Sequence, residues 1–247
     1  MRQLLKIIAP KSFEDGLWRC NRLGKKLVAE NNIHRLLDVG LGNGELTLEF
    51  SKIAKPKEVY GVEFVDDLRQ QAERRGIKCS KFDLNGEWDY DNNYFDLILS
   101  SQNIEHLHNT RLYLEECYRC LRKGGQLIVL TENLASWVNI GALFFGWQPF
   151  STTNINAWSL GNPLIWHIDE PKDFDYLEKQ QATGISGLSG HVRVLTYCGL
   201  KSLMEKVGFK NVSVDTKGYL PFWGIFSDFL CSIDKRHGHF LIASGFK

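Results

Sequence analysis

In the central part of the chain, short apolar runs alternate with stretches whose apolar residues recur at the period of a helix. Short apolar runs predict five buried strands, at residues 34–40, 58–64, 77–83, 95–101 and 126–131. Patterns of helical period lie between them, at residues 45–54, 66–75 and 111–121. Strands that alternate with helices pair in parallel through right-handed crossovers. The pattern therefore predicts an α/β fold with a doubly wound sheet.

The regular order stops at residue 134 and resumes at residue 196. Residues 134–195 are rich in Trp, Asn, Gly and Ser and show no alternation, so we predict an inserted cap with short helices. A helix at 196–207 and strands at 211–216 and 240–246 follow. At the other end, residues 12–31 predict an N-terminal helix with Ser12 as its N-cap.

Composition and charge exclude several classes of protein. The chain has 247 residues, and 30 Lys+Arg against 29 Asp+Glu leave a net charge of +1, which disfavours a nucleic-acid partner. No apolar run is long enough for a transmembrane segment, and the N-terminus lacks a signal-peptide pattern. We therefore expect a cytoplasmic protein with reduced cysteines. Cys117 and Cys120 are interpreted as two helix positions rather than as a zinc or redox site.

The motif with the most chemical content is the loop DVGLGNG, which directly follows the first strand and opens the first helix. A dinucleotide fingerprint starting at Gly40 would need glycine at position 45, where the chain has Glu45. An acid beside a helix N-terminus repels a pyrophosphate. The loop thus suits close approach to a ligand that is not a pyrophosphate, which disfavours an NAD-dependent oxidoreductase. Tight packing is the alternative for a glycine loop alone.

Two further acids follow the next two predicted strands. Glu63 ends the second strand, where a carboxylate can accept hydrogen bonds from both ribose hydroxyls. Asp83 ends the third and can accept from an exocyclic amine, with Phe64 and Leu84 flanking a flat ring. A simple turn residue is the alternative for Asp83. The carboxyl ends of such strands are where open α/β sheets bind ligands.

Five segments in order resemble a known family: LLDVGLGNGELT, VYGVEF, KFDLNG, FDLILSSQNIEHLHN and LRKGGQLIVLTEN. They are similar to class I S-adenosylmethionine-dependent methyltransferases, most of all to the bacterial small-molecule group of the ubiquinone-biosynthesis type. The resemblance implies a Rossmann-like seven-stranded sheet whose last strand is antiparallel, with the aromatic-rich cap inserted after strand five. It also implies S-adenosyl-L-methionine as cofactor.

The resemblance assigns roles to residues of this chain. It places Gly40, Gly42 and Gly44 around the amino-acid part of the cofactor, with Asp38 orienting the loop. It also implies that the residues discussed after strands two and three, and two residues after strand four, bind the cofactor. These are Glu63, Phe64, Asp83, Leu84, Ser101 and Gln102. One methyltransferase domain is then expected over 1–247, with a cofactor-binding half at 34–133, the cap at 134–195 and a C-terminal part at 196–247.

Methyl transfer to a hydroxyl needs a base, and histidine is the natural choice. His106 and His191 rank equally as candidates, with a helix cap or a solvent-exposed loop position as the alternative for each. Glu105, His106 and His108 also contain metal-ligand types, but neighbouring residues diverge in direction, so no metal site is expected.

The cap concentrates aromatic residues, since four of the seven Trp lie between positions 137 and 166. Trp137, Trp166 and His167 are expected to contact the acceptor, and Arg193 to bind an anionic acceptor. The alternatives are an accessory core or a dimer face for the cap, and a surface ion pair for Arg193. The aromatic stretch 220–230 predicts a helix over the sheet edge, with contact to a membrane or a lipid-linked acceptor as the alternative.

The function expected from the sequence is S-adenosylmethionine-dependent methylation of a small molecule, most simply at a hydroxyl oxygen. An N- or C-methyltransferase and a non-catalytic protein that binds the same cofactor are the alternatives. A small-molecule acceptor is the expected partner, and the sequence leaves a homo-oligomer open.

Overall fold

The computed structural model describes residues 2–29, 32–155, 158–164 and 190–247. Its strands are β1 (Arg35–Val39), β2 (Glu58–Val62), β3 (Lys78–Ser80), β4 (Phe95–Ser101), β5 (Leu121–Glu132), β6 (Asn154–Ile155), β7 (Trp158–Ser159), β8 (Lys210–Lys217) and β9 (Phe240–Phe246). Seven of them form one sheet in the order β3-β2-β1-β4-β5-β9-β8, and β6 and β7 form a two-stranded antiparallel sheet.

The large sheet is parallel except at one strand. β1, β2, β3, β4 and β5 pair in parallel, whereas β9 pairs antiparallel with both β5 and β8. The predicted seven-stranded sheet with an antiparallel last strand is thus confirmed. As a result, the carboxyl ends of β1, β2, β4 and β5 share one edge with the amino end of β9.

Helices cover both faces of this sheet. They are α1 (Arg2–Lys26), α2 (Glu45–Ala54), α3 (Asp66–Arg74), α4 (Thr110–Cys120), α5 (Trp137–Phe144), α6 (Tyr197–Val207) and α7 (Gly224–Ile233), with 3-10 turns at Ile104–His106 and Phe150–Thr152. Successive residues of β5 pack into two hydrophobic cores. Ile128 belongs to the core that contains Phe50 of α2, and Val129 belongs to the core that contains Tyr113 of α4. Among the described residues, no helix is both long and apolar enough to span a bilayer.

The N-terminal helix differs from the sequence expectation. It begins at Arg2 and ends at Lys26, rather than spanning 12–31, and Pro10 lies inside it. Ser12 is therefore not an N-cap: its hydroxyl donates to the Ala9 carbonyl at 2.9 Å, a bond that Ser can make within a helix. Lys25 and Lys26 in the last turn face the negative end of the helix dipole.

Two strands differ most from their predicted bounds. β3 ends at Ser80 rather than at residue 83, because an edge strand has a partner on one side only and the chain leaves the sheet after Ser80. β5 begins at Leu121, five residues before the predicted start, since Leu121 already pairs with Phe95 across a register shift. Cys117 and Cys120 both lie buried in α4, as the helix interpretation predicted.

The described part of the cap at 134–195, called the insertion from here on, packs on the rest of the fold through buried polar groups. Asn139 of α5 donates to the Asn133 carbonyl at 3.0 Å and to the Ser151 hydroxyl at 2.9 Å, and it accepts from Ser151 N–H at 3.2 Å. Because Asn139 is fully buried, these bonds fix Phe150–Thr152 onto α5. Trp166 and His167 lie outside the described residues.

Candidate active site

The glycine loop joins β1 to α2, and its three glycines meet different steric needs. Gly40, Gly42 and Gly44 have φ angles of 75°, 58° and 83°, the left-handed region that favours glycine. A Cβ at Gly40 would lie 2.7 Å from the Asn103 side chain, and one at Gly44 would lie 2.6 Å from Ile77 Cδ1. A Cβ at Gly42 would meet no described atom within 4 Å. Gly42 therefore borders open space, where a ligand can approach the backbone.

Asp38 lies beneath this loop and is buried. Its Oδ2 accepts a hydrogen bond from the Thr47 hydroxyl at 2.6 Å. Its Oδ1 is also buried and has no hydrogen-bond partner among the described residues. Burial raises the pKa of Asp38 to about 7, against the opposing effect of the Thr47 bond. The unsatisfied oxygen can accept a hydrogen bond from a cationic ligand group that enters beside the loop.

Glu63 connects the end of β2 to the glycine loop. Its Oε2 accepts from Gly42 N–H at 2.9 Å, and its Oε1 accepts from Val65 N–H at 2.8 Å. Each carboxylate oxygen has more than one lone-pair position, so both can still accept from a ligand. The residue thus orients the loop as well as offering two acceptors at the sheet edge.

Phe64, Asp83 and Leu84 come from the loops after β2 and β3. Asp83 is exposed, and its Oδ1 accepts from the backbone and side-chain N–H groups of Asn85, both at 2.9 Å, so it does form the turn that was its alternative. Leu84 packs on the core that contains Tyr113. The Phe64 ring is half-buried and lies 4.9 Å from Lys81 Nζ.

Ser101 ends β4 at the same edge of the sheet, and Gln102 follows it. Gln102 has a φ of 48°, a left-handed conformation that is unusual for a residue with a side chain. Its N–H donates to the Leu130 carbonyl at 2.8 Å, which holds this conformation in place. Its side-chain Nε2 is buried without a hydrogen-bond partner among the described residues. A strained residue with an unsatisfied donor at the sheet edge is typical of a ligand site.

These observations fit S-adenosylmethionine, the cofactor that the resemblance implies. Open space lies against Gly42, and the Asp38 acceptor and the Gln102 donor are both left unsatisfied nearby. A ligand with an ammonium group, a carboxylate and ribose hydroxyls supplies partners for such groups. The donor set is therefore compatible with this cofactor.

The two histidines named from the sequence lie side by side. The rings of His106 and His191 have centroids 4.8 Å apart and meet edge to face. His106 Nδ1 is 3.1 Å from the Gly190 carbonyl, and His191 Nδ1 is 2.6 Å from the Ser151 carbonyl. Since a carbonyl can only accept, both Nδ1 atoms carry hydrogen and Nε2 carries the lone pair in each neutral ring. Each ring therefore has the tautomer of a proton acceptor at Nε2.

A backbone clamp brings the two histidines together. Val192 N–H and Arg193 N–H both donate to the Glu105 carbonyl, at 2.8 and 3.0 Å. Glu105 precedes His106 in the 3-10 turn after β4, whereas Val192 follows His191 at the end of the insertion. The clamp thus fixes the end of the insertion against the turn.

A buried group of charged residues supports the pair, and sequence reasoning missed most of it. Glu105 is fully buried; its Oε2 accepts from the Thr131 hydroxyl at 2.8 Å, and its Oε1 has no hydrogen-bond partner among the described residues. Burial raises the pKa of Glu105 to about 7, against the opposing effect of His191. Glu132 Oε2 lies 3.7 Å from both His191 Nδ1 and His239 Nε2. Glu132 follows the same rule as Glu63, an acid at the carboxyl end of a strand, and that signal could have found it.

The same residues also offer a geometry for a metal. Glu105, His106 and His191 present ligand atoms that all lie within 4.8 Å of one another. The third member comes from the insertion and not from His108, which is exposed. Because His106 and His191 lie 85 positions apart in the chain, no local pattern indicates this convergence.

Two of the expected acceptor contacts can be placed. Trp137 starts α5 and is half-exposed; its indole N–H donates to Asp234 Oδ2 at 2.7 Å, and its ring lies 4.7 Å from that of His237. The Arg193 side chain is exposed, while its backbone belongs to the clamp on Glu105. Trp166 and His167, the other two, fall in a part of the chain that the structure does not describe.

Comparison with known proteins decides the family. A family model described as "Methyltransferase domain" matches residues 2–214, which include the glycine loop and both histidines. The chain belongs to this methyltransferase family. Solved structures with this fold include S-adenosylmethionine-dependent methyltransferases, and the unsatisfied groups around Gly42 are compatible with that cofactor.

Relatives and solved structures add detail. The methyltransferase is 29% identical over 118 residues to the demethylmenaquinone methyltransferase of Thermus thermophilus, covering 46% of this chain and 53% of that one. It is 26% identical over 108 residues to the mitochondrial ubiquinone biosynthesis O-methyltransferase of Rattus norvegicus, covering 40% of this chain and 31% of that one. These matches therefore span about half or less of the relatives' lengths. A solved S-adenosylmethionine-dependent methyltransferase from Thermotoga maritima shares the fold, with a TM-score of 0.58 at 18% identity over 96% of this chain and 91% of that one.

Proposed function

We propose that this methyltransferase moves a methyl group to a hydroxyl oxygen of a small molecule, with the His106–His191 pair as general base. The observation that carries the proposal is the position of the pair. Two imidazoles whose Nδ1 atoms are bonded to backbone carbonyls lie 4.8 Å apart, in the turn after β4 and at the end of the insertion. The residue that directly follows β4, Gln102, is one of the groups proposed to face the cofactor.

We assign each proposed cofactor-binding residue to one part of the cofactor according to its position in the fold. When bound, S-adenosylmethionine supplies a methyl group that its sulfonium charge activates for in-line displacement. We assign the ammonium group to Asp38, the close backbone approach to Gly42, and the ribose hydroxyls to Glu63. Phe64, Asp83 and Leu84 are assigned to the adenine, and Ser101 and Gln102 to the region of the sulfur.

The histidine pair would accept the proton that a hydroxyl acceptor loses. Alignment of acceptor and methyl group can supply roughly 7–11 kcal/mol of the barrier. A base of near-neutral pKa adds about 10²–10⁴-fold in rate. Once a histidine is protonated, the nearby carboxylate of Glu132 stabilises its positive charge, since Glu132 Oε2 lies 3.7 Å from His191 Nδ1.

The acceptor is proposed to be a small molecule held by the insertion. The names of two relatives, demethylmenaquinone methyltransferase and ubiquinone biosynthesis O-methyltransferase, support a small-molecule acceptor, and the end of the insertion carries His191. Trp137, Trp166, His167 and Arg193 remain the proposed acceptor contacts. From the positions of the proposed cofactor and acceptor residues, we also propose a single domain. It has a cofactor-binding half at 34–133 and a cap at 134–195.

A separate observation supports a second role for the histidine pair, which is to bind a metal ion. Because Glu105, His106 and His191 converge within 4.8 Å, they can hold a divalent cation that binds the acceptor oxygen directly. Two further functions compete with hydroxyl methylation: transfer to a nitrogen or carbon atom, and binding of the cofactor without turnover. A nitrogen acceptor with a free lone pair would make both histidines dispensable.

The test has two stages. Calorimetry with S-adenosylhomocysteine, the cofactor product, measures cofactor binding, and a screen of phenols, alcohols and amines then measures methyl transfer. The proposal expects micromolar binding and transfer to a hydroxyl compound that is insensitive to EDTA. Loss of transfer in EDTA, restored by a divalent salt, would support the metal role. Cofactor binding without transfer to any acceptor would favour the non-catalytic protein.

A further inference from the structure

Helix α7 exposes large apolar side chains to solvent. Ile225 is 87% exposed, Ile233 68%, Phe229 56% and Phe226 52%. Phe222 and Trp223, in the turn that precedes the helix, are 43% and 40% exposed. We call these six side chains the α7 surface. Isolated exposed apolar residues are ordinary, but a group on one short segment marks an interaction site.

The helix is also turned the opposite way from an ordinary surface helix. Its buried positions are Ser227 and Cys231, which are small, and the Ser227 hydroxyl accepts from Tyr219 N–H at 2.8 Å. Its bulky positions face outward, with Ile225, Phe229 and Ile233 spaced four residues apart on one stripe. A globular helix normally buries its apolar stripe against the core. An outward apolar stripe is typical of a helix that binds a partner.

Charges around the α7 surface are unbalanced. The helix itself carries a single charged residue, Asp228, which pairs with Arg19 and Lys217. Two acids at the ends of the helix are likewise engaged: Asp15 accepts from Gly224 N–H at 3.0 Å, and Asp234 bonds Trp137, Tyr219 and His237.

The basic residues at the edge of the surface are not engaged in this way. Lys235 and Arg236 are exposed just after the helix, and Lys11 is exposed with its Nζ 5.0 Å from the Trp223 ring. None of the three forms an ion pair with a described residue. The α7 surface thus combines an apolar centre with a positive rim.

We propose that the α7 surface docks on an anionic lipid bilayer. Apolar side chains enter the boundary between headgroups and acyl chains, and Lys or Arg beside them attract anionic headgroups. Trp and Phe favour this interface because their rings are large and flat. A second copy of the chain is the competing occupant, but a symmetric interface would bring the positive rim of one copy towards that of the other.

The position of this surface links it to the candidate active site. Asn133, just after β5, donates to the Arg236 and Gly238 carbonyls at 2.8 and 2.7 Å. Next in the chain, His239 approaches Glu132. Docking through α7 therefore brings the edge of the sheet that carries the histidine pair close to the lipid surface. The proposal concerns the surface alone and does not depend on the methylated atom.

Vesicle co-sedimentation tests the proposal. The full chain is mixed with phosphatidylcholine vesicles that either contain or lack phosphatidylglycerol, and the pelleted fraction is measured. We expect binding to the anionic vesicles that weakens with added salt. The double variant Ile225→Glu/Phe229→Glu should reduce the vesicle affinity about tenfold or more, because it removes two apolar anchors. Lys235→Glu/Arg236→Glu should also reduce it and should remove the salt dependence.

A matched control is available on a different helix. Ile53 on α2 is 54% exposed, so Ile53→Glu places the same charge on an exposed apolar helix position away from α7. This variant should bind vesicles as the wild type does, and S-adenosylhomocysteine binding checks that all variants are folded. Failure of the wild type to bind anionic vesicles, or equal binding by the Ile225→Glu/Phe229→Glu variant, overturns the proposal. A third outcome also overturns it: the wild type forms a dimer in sedimentation velocity, the Ile225→Glu/Phe229→Glu variant is a monomer, and the wild type does not bind vesicles. The occupant of the α7 surface is then a second copy of the chain.

Discussion

His106 and His191 meet edge to face with ring centroids 4.8 Å apart, although one follows β4 and the other ends the insertion. A backbone carbonyl fixes the Nδ1 atom of each, at Gly190 for His106 and at Ser151 for His191. The carbonyl that orients each ring thus belongs to the insertion. The proposed base is assembled by tertiary structure rather than by a local motif.

Loss of either histidine should reduce turnover without affecting cofactor binding. His106→Ala and His191→Ala are each expected to lower kcat by about 10²–10⁴-fold, because the acceptor proton loses its base. The S-adenosylhomocysteine dissociation constant should stay unchanged. Since the two rings act together, the double variant should be no slower than the slower single variant.

The control for this prediction is His34→Ala, at the opposite edge of the sheet. His34 is exposed next to the start of β1, far along the strand direction from the carboxyl edge. Its removal should leave kcat unchanged. Normal turnover in both active-site variants would show that the pair is not the base.

Steric filling of the glycine loop should block the cofactor. Gly42→Val places a side chain in the open space beside the loop, and steric strain of roughly 1–3 kcal/mol should weaken S-adenosylhomocysteine binding by about 10- to 100-fold. Gly76→Val is the matched control, because Gly76 also has a positive φ of 86° and a Cβ there meets no described atom within 4 Å. Both variants place Val at a positive φ, so a lower S-adenosylhomocysteine affinity in Gly42→Val alone would report on the ligand site. Equal affinities would remove Gly42 from the cofactor site.

Cofactor affinity should rise with pH through the pKa of Asp38. Burial raises this pKa to about 7, and only the ionised carboxylate can pair with the ammonium group of the ligand. Between about pH 6 and pH 8 the ionised fraction grows about tenfold, and the S-adenosylhomocysteine affinity should grow by the same factor. Asp38→Asn should bind more weakly and with a flat pH profile. A flat profile in the wild type would place the ammonium group elsewhere.

Stability should fall as pH rises through the pKa of Glu105. Burial raises this pKa from 4.5 to about 7, so the folded state favours the protonated form, and its stabilisation is lost between these two values. The free energy of unfolding, measured with urea at about pH 5 and pH 8, should therefore drop by about 2 kcal/mol more in the wild type than in Glu105→Gln. The exposed Glu14→Gln should keep the wild-type difference. A slope in Glu105→Gln as steep as in the wild type would argue against a buried, protonated Glu105.

Local patterns predicted the order of the strands and helices, and tertiary contacts determined the rest. β4 and β9 have the predicted bounds, because each is a continuous apolar run buried in the sheet. The start of α1 was missed, since Ser12 was interpreted as an N-cap, whereas the helix begins at Arg2 and contains Pro10. The contact between Glu132 and His239 depends on the antiparallel pairing of Glu132 with Phe240, which no local pattern encodes.

The backbone clamp between Glu105 and the end of the insertion has a consequence for redesign. Val192 and Arg193 hold His191 in place from the downstream end of the segment that is proposed to shape the acceptor pocket. A chimera that replaces the whole of 134–195 would exchange acceptor preference and half of the base at once. A graft whose upstream junction lies after Ser151 and whose downstream junction lies before Gly190 would retain the clamp, the carbonyls of Ser151 and Gly190 and both imidazoles. Acceptor preference and proton transfer could then be varied independently in one scaffold.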